Sequence, residues 1–303
     1  MMINRILFSE DPFKRVNNLK TDHAVEALSP AEMTRVAENA GAYKISKPAA
    51  QTFFSAITAG VFISIAFLFY ITVTTGAAAS GTPYGLYRLV GGICFSLGLM
   101  LVVFCGADLF TSTILTCIPK ATNRATWRQM FMNWLNVYIG NFVGALLFVA
   151  LVWFAGLHMT ANGAWGLNAL NVADHKLHHT FIQAVALGVL ANLMVCLAVW
   201  MNYAGRSLTD RMLIMILPVA MFVASGFEHS IANMFMIPMG LVIKNFATPE
   251  FWQLIGVDAG QFAGMTVEHF IVNNLIPVTI GNIIGGLLVG LTYWAMHLRS
   301  KHH

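Results

Sequence analysis

Six apolar stretches of membrane-crossing length alternate with short polar segments, near 50–76, 85–119, 130–156, 180–202, 211–243 and 270–297. A helix of about 20 apolar residues crosses the hydrocarbon core of a bilayer, so the pattern predicts an all-α membrane protein with six transmembrane helices. The second and fifth stretches are long and carry polar residues mid-way, and both are expected to be broken helices. Ahead of the first stretch, Ser29-Pro30-Ala31-Glu32 reads as a capping box with proline at the first helical position. Met33, Val36, Ala37 and Ala40 follow at helical spacing and Gly41 can end the turn. The pattern thus adds a short amphipathic helix, read as a surface helix or as a movable lid over an opening.

Composition agrees with this picture and narrows it. Hydrophobic residues make up 57% of the 303 positions and charged residues 10%, with a mean hydropathy of +0.69. Ordinary soluble domains carry roughly 25% charged residues, so a soluble globular enzyme and a disordered chain are both excluded. The net charge of +4 is dispersed and offers none of the basic striping that nucleic-acid binding needs. Thirteen of the 30 charged residues fall in the first 48 positions. The expected organisation is therefore a polar N-terminal segment 1–48, a nearly uncharged six-helix transmembrane body 49–298 and a short tail 299–303. The first residues do not read as a signal peptide, because Glu10, Asp11, Lys14 and Arg15 interrupt them. Cys94, Cys105, Cys117 and Cys196 lie in apolar stretches without metal-ligand spacing, and read as small buried hydrophobes.

Positive charge is asymmetric about the spans. Lys44, Lys47, Lys120, Arg124, Arg128, Arg206, Arg211, Arg299 and Lys301 flank one side, whereas the other has Arg88, Lys176 and Lys244. The positive-inside rule then puts both termini in the cytoplasm.

The two halves of the chain echo each other. Thr52-Phe53-x-x-Ala56-x-x-x-Gly60-Val61 returns as Thr180-Phe181-x-x-Ala184-x-x-x-Gly188-Val189, an offset of 128. Gly106-Ala107-Asp108 returns as Gly226-Phe227-Glu228, and Ile139-Gly140-Asn141-x-x-Gly144 as Ile280-Gly281-Asn282-x-x-Gly285. Three ordered matches, one per span of a three-span unit, predict a 3+3 inverted repeat, a layout that places a substrate site between the halves near mid-membrane.

Away from their ends the spans hold three plainly ionisable residues, Asp108, Glu228 and His229, all at the two interruptions. Intramembrane ionisable groups mark function by default. Asp108 and Glu228 are read here first as caps of the half-helices that restart, with Asn233 near the second. His229 is read as functional, because an imidazole titrates near neutral pH. Thr111 and the N–H groups after it would favour an anion. Asn192, a strong polar group on the fourth span, either orients His229 or bonds across helices. The run Asp174-His175-Lys176-Leu177-His178-His179 lacks a full ligand pattern, so no metal and no cofactor is expected. Lys176 there points instead to an electropositive mouth.

The strings Cys105-Gly106-Ala107-Asp108-Leu109-Phe110-Thr111 and Gly226-Phe227-Glu228-His229-Ser230-Ile231-Ala232-Asn233, with the repeated Ile-Gly-Asn-x-x-Gly, resemble the formate/nitrite transporter family. The resemblance covers about residues 28–298. It implies an aquaporin-like six-helix protomer assembled as a homopentamer, each protomer with its own pore. It further implies that formate or a similar small monovalent anion passes there. Its implied pore residues are Thr111 and Phe110 at a looped break, His229 as the pore histidine, Leu99 at an inner constriction, and Leu109 with Phe222 at an outer one. Asn192 and Lys176 fall near the pore and its vestibule, and the N-terminal helix matches a segment that gates at low pH. The expected mechanism has Lys176 attract the anion, Thr111 hold it and His229 lend a proton or positive charge. Nitrite and hydrosulfide are the alternatives within the family. An aquaporin-type solute channel lacks support because no Asn-Pro-Ala string is present, and a membrane enzyme because no catalytic cluster is.

Overall fold

The computed structural model describes residues 27–299. The first half of the expected N-terminal segment and nearly all of the tail 299–303 lie outside the described residues. Among those described, every regular element is helical. In chain order these are α1 Pro30–Ser46, α2 Ala49–Thr74, α3 Tyr84–Phe104, α4 Phe110–Thr113, α5 Cys117–Ala121, α6 Trp127–Phe154, α7 Ala164–Leu177, α8 Phe181–Asn202, α9 Leu208–Ala224, α10 Ser230–Phe246, α11 Pro249–Ile255, α12 Val267–His269 and α13 Ile276–His297. A π-helical stretch, Phe270–Leu275, joins α12 to α13.

Local chemistry sets where several helices begin. Capping boxes stand at Ser29 with Glu32, Thr126 with Gln129, Thr180 with Gln183, and Ser207 with Asp210. In each, a hydroxyl accepts from the third helical N–H while that residue's side chain accepts from the cap's own N–H. Gly41 does not end α1 as expected. The helix continues to Ser46, and Gly41 is buried against Pro119, where an added Cβ would stand 3.0 Å from the proline ring. The buried stripe of α1 is Thr34, Ala37 and Gly41, with Met33 half-buried beside it.

Five helical stretches, Ala49–Thr74, Tyr84–Phe104, Trp127–Phe154, Phe181–Asn202 and Ala259–His297, are long and apolar enough to cross a membrane. The region expected to form the fifth span is divided into α9 and α10, each of 17 residues. Large apolar side chains are exposed on the outside, Phe154 at 85% and Ile182 at 78%. Such a surface suits lipid as solvent, because acyl chains are as apolar as the side chains they meet.

The tightest packing pairs α2 with α6 and α8 with α13. An added Cβ on Gly144 would lie 2.0 Å from the Ile57 carbonyl oxygen, and one on Gly285 2.4 Å from that of Val189. Without hydrophobic drive between helices in lipid, such close backbone approach through small residues is what binds them. The equivalent contacts in the two pairs stand 132 positions apart: Ile57 with Val189, and Phe53 with Val185 at Gly140 and Gly281. The string match at an offset of 128 is therefore one helical turn out of register with the contacts.

α6, at 28 residues and 1.5 Å rise each, is about 42 Å long. Near its start, the Asn133 amide donates to the Lys44 carbonyl of α1. Its far end leads to α7, so α1 and α7 lie on opposite sides of the molecule.

Candidate functional site: two facing helix breaks

Helices α3 and α9 end in the same turn. Gly106 and Gly226 have φ of +74° and +73°, a left-handed conformation that glycine adopts without strain. The Ala107 N–H donates to the Val102 carbonyl and the Phe227 N–H to the Phe222 carbonyl, at 2.9 and 3.0 Å. Three non-helical residues follow at each site, the last of them extended, and α4 and α10 begin.

Two asparagines organise the restarts. Asn141 Oδ1 accepts from the Phe110 N–H at 2.9 Å, while its Nδ2 donates to the carbonyls of Ala56 and Asp108. Asn282 Oδ1 accepts from the Ser230 N–H at 2.9 Å, while its Nδ2 donates to Gly188 and Glu228. Both side chains are fully buried. Each satisfies a helix-start donor and two carbonyls that no water can reach.

The acidic side chains do not cap these half-helices, contrary to the reading given above. Asp108 receives a hydrogen bond from Lys47 Nζ and has Lys44 Nζ at 3.6 Å. Glu228 pairs with Lys176 Nζ at 2.9 Å and accepts from Asn233 Nδ2 at 2.6 Å. Asn233 also donates to Asn274, whose amide reaches back to Glu228 and to the Lys176 carbonyl. Carboxylates 3 and 2% exposed persist in such surroundings only when paired and hydrogen-bonded. Burial lowers the Lys44 ammonium below the ordinary lysine range, against the pull of Asp108.

His229 itself occupies the cap position of α10. Its Nδ1 accepts from the Ala232 N–H at 3.1 Å, so in the neutral ring the proton resides on Nε2. Nε2 lies 3.0 Å from Thr111 Oγ1 of α4. The two breaks therefore meet at one contact between buried side chains. Asn192 does not reach His229. Its amide donates to the carbonyls of Thr111 and Asn282, at 3.1 and 2.6 Å, which ties the first half-helix to the bracket of the second. Cys196 Sγ adds a contact to the same Thr111 carbonyl.

A cavity of about 480 Å³ opens from His229 toward the α7 side. Phe222 stacks on His229 at 6.0 Å and meets Phe95 edge-on at 5.8 Å, and both phenyl rings line the cavity. Leu109 does not join Phe222 there. It is 1% exposed, adjoins Asp108 on the α1 side, and lines no part of this cavity. Leu99 is likewise buried and away from it. Phe110 is buried, its ring packed edge-on against Tyr138 at the base of a shallow apolar groove and away from the cavity, and its backbone N–H serves the break. Lys176 does line the cavity, but as the partner of Glu228.

Sequence reasoning missed the brackets Asn141 and Asn282, the lysines of α1 as partners of Asp108, and Arg88, Asn168, His175 and His179 on the cavity wall. A signal for the brackets was present: a strong polar residue recurs at matched places in two otherwise apolar spans.

A family model described as "Formate/nitrite transporter" matches residues 31–295. The chain belongs to that family. It is 66% identical over 286 residues to the formate channel FocA of Escherichia coli strain K12, which covers 94% of this chain and all of that protein. It is 54% identical to FocA of Haemophilus influenzae over 86% of this chain and 92% of the relative. A solved structure described as a pentameric formate channel with formate bound superposes with a TM-score of 0.79 at 51% identity, over 83% of this chain and 98% of that one. Membership in the formate/nitrite transporter family makes this an integral membrane protein of a transporter family and not an enzyme.

Proposed function

We propose that the protein passes formate and similar small monovalent anions across the inner membrane through a pore in each protomer of a homopentamer. The observation that carries this reading is the buried contact of Thr111 with His229, where two half-helix starts meet at the floor of a cavity. The high identity to formate channels names the anion.

The chemistry follows from the cost of moving a charge. Estimates for an ion at mid-membrane run from about 3 to more than 10 kcal/mol. Protonating a simple carboxylate beside an imidazole, with ordinary pKa values about 2.5 apart, costs roughly 3.5 kcal/mol, so proton loan competes with carrying the charge. The neutral ring presents its Nε2–H to an anion that displaces Thr111 Oγ1. Transfer of that proton to the carboxylate requires a second proton on Nδ1, and the ring must then release the Ala232 N–H that it caps. The ring thus meets the anion first as a hydrogen-bond donor and acts as an acid only when charged. Helix starts at both breaks add favourable dipoles.

The architecture belongs to the same proposal. Equal glycine turns, equal asparagine brackets and contacts recurring 132 positions apart support a 3+3 inverted repeat in which the second and fifth spans are broken. The one-sided lysines and arginines support cytoplasmic termini, with segment 1–48 as a cytoplasmic region whose helix α1 rests on the first break, the channel body at 49–298 and a tail at 299–303. Leu99 and Leu109 then stand on the cytoplasmic side of the Thr111–His229 contact and Phe222 on the periplasmic side.

Formate uptake into proteoliposomes across an inward proton gradient tests the reading. The intact protein should transport formate, and H229F should lose proton-dependent uptake while remaining assembled. Unchanged uptake by H229F would remove the histidine from the mechanism.

A further inference from the structure

The lysine expected to draw anions to the mouth is not free to do so. Lys176 Nζ is 2.9 Å from Glu228 and its side chain is 12% exposed, so the pair presents little net charge to the cavity. Arg88, on α3, lines the same cavity. Among the described residues no carboxylate lies within ion-pair distance of it. Its Nε donates to the Ala224 carbonyl at 3.2 Å, its Nη2 to the Val223 carbonyl at 2.9 Å and its Nη1 to the Tyr70 hydroxyl at 2.8 Å. Those bonds use three of its five N–H groups. The guanidinium stands near the faces of Tyr70 and Tyr84, at 5.8 and 5.7 Å, which holds it without neutralising it.

We propose that Arg88 forms an outer binding station for a small carboxylate, ahead of the Thr111–His229 contact. The proposal rests on the channel reading and adds to it the residue that recognises the anion on entry. A planar guanidinium with free N–H groups matches the two oxygens of a carboxylate, which a lysine cannot do in the same manner. The station is built into the pore because the same side chain fixes the last carbonyls of α9, two residues beyond Phe222. Gly226 leaves room for it: an added Cβ there would lie 3.2 Å from Arg88 Nη2.

Formate flux into proteoliposomes, measured against external formate for the wild type, R88K and R88Q, tests this. Size-exclusion chromatography of each variant checks assembly. With a charge-assisted pair lost, the half-saturating concentration should rise about tenfold in R88Q, equivalent to about 1.4 kcal/mol. The rise in R88K, which keeps charge but not the fork, should be about threefold. Maximal flux should stay within about twofold in both variants, and added salt should raise the wild-type value more than the R88Q value. A fall in maximal flux with half-saturation unchanged would reduce Arg88 to a clamp on α9 and overturn the proposal. Unchanged half-saturation in R88K alone overturns it too, even where R88Q fails to assemble. Absence of formate flux in the wild type sinks the channel reading and the station together, whereas wild-type flux with indifferent variants sinks only the station.

Discussion

The two helix breaks share a frame and differ in what they display. At each, a helix ends in a left-handed glycine, an acidic residue follows and pairs with lysine, and an asparagine from a distant helix brackets the restart. After Asp108 comes Leu109, which makes no side-chain cap, whereas after Glu228 comes His229, whose ring is the cap. Beyond the break, α4 lasts four residues before a 3₁₀ turn and α5, while α10 continues for 17 residues. The supports of an irregular backbone in lipid are thus fixed by hydrogen-bond accounting and appear twice. The chemistry is a single substitution on one copy of that support.

The sharpest way to break the comparison is to exchange what the breaks display. H229F should lower saturable formate flux by about 100-fold or more, the range for removing a general acid–base group, while L109A should retain flux within tenfold. Equal losses in flux assays would erase the asymmetry. Next in size is the loss of an acid. Removing one partner of a buried ion pair costs about 3–5 kcal/mol. E228Q should therefore destabilise the purified protein strongly in thermal unfolding. D108N should cost less, because Asp108 does not carry the two amide hydrogen bonds that Asn233 and Asn274 give Glu228. The double variant K176M/E228Q should recover part of the loss.

Smaller still, and matched in their hydrogen bonds, are the brackets. N141A and N282A each orphan one N–H and one non-helical carbonyl, that of Asp108 or Glu228, and with about 1–3 kcal/mol for a buried group left unpaired the two should lower the unfolding temperature alike. A clear inequality would show that one restart carries more strain than the other. The smallest effect concerns pH at the mouth. Burial, with His179 and Lys176 nearby, holds His175 below the ordinary histidine value. The depressed value means that the ring stays neutral through neutral pH and gains charge only as pH falls below the usual histidine range. Half-saturation for formate should improve by less than about twofold on that acid side, and H175N should flatten the change.

Much of this arrangement is legible in the residues. Helix spans follow from apolar length, the start at Ser29 from capping chemistry, and the breaks from glycine and acid in apolar surroundings. Less legible is anything decided by distant partners. Lys47 meets Asp108 across 61 positions and Lys176 meets Glu228 across 52, and no local pattern joins them. The direction of Phe110 is set by how a four-residue helix sits on α6, which periodicity over so few residues does not encode. The one-turn error in the repeat also has a physical origin. Small residues recur every fourth position along the first and fourth spans, so their sequence looks alike when slid by a turn, and only the carbonyls they touch fix the register.

The paired acids have an electrical consequence. A lone carboxylate carried through the full membrane field would exchange about 2.3 kcal/mol per 100 mV, and a break bearing one would move with voltage. Glu228 sits beside one lysine, so the second break can shift as a neutral unit and transfer no gating charge, whereas Asp108 has two lysines within reach and its break does not share that neutrality. At the Glu228 break the pore takes its voltage dependence from the ion it conducts and not from its own wall.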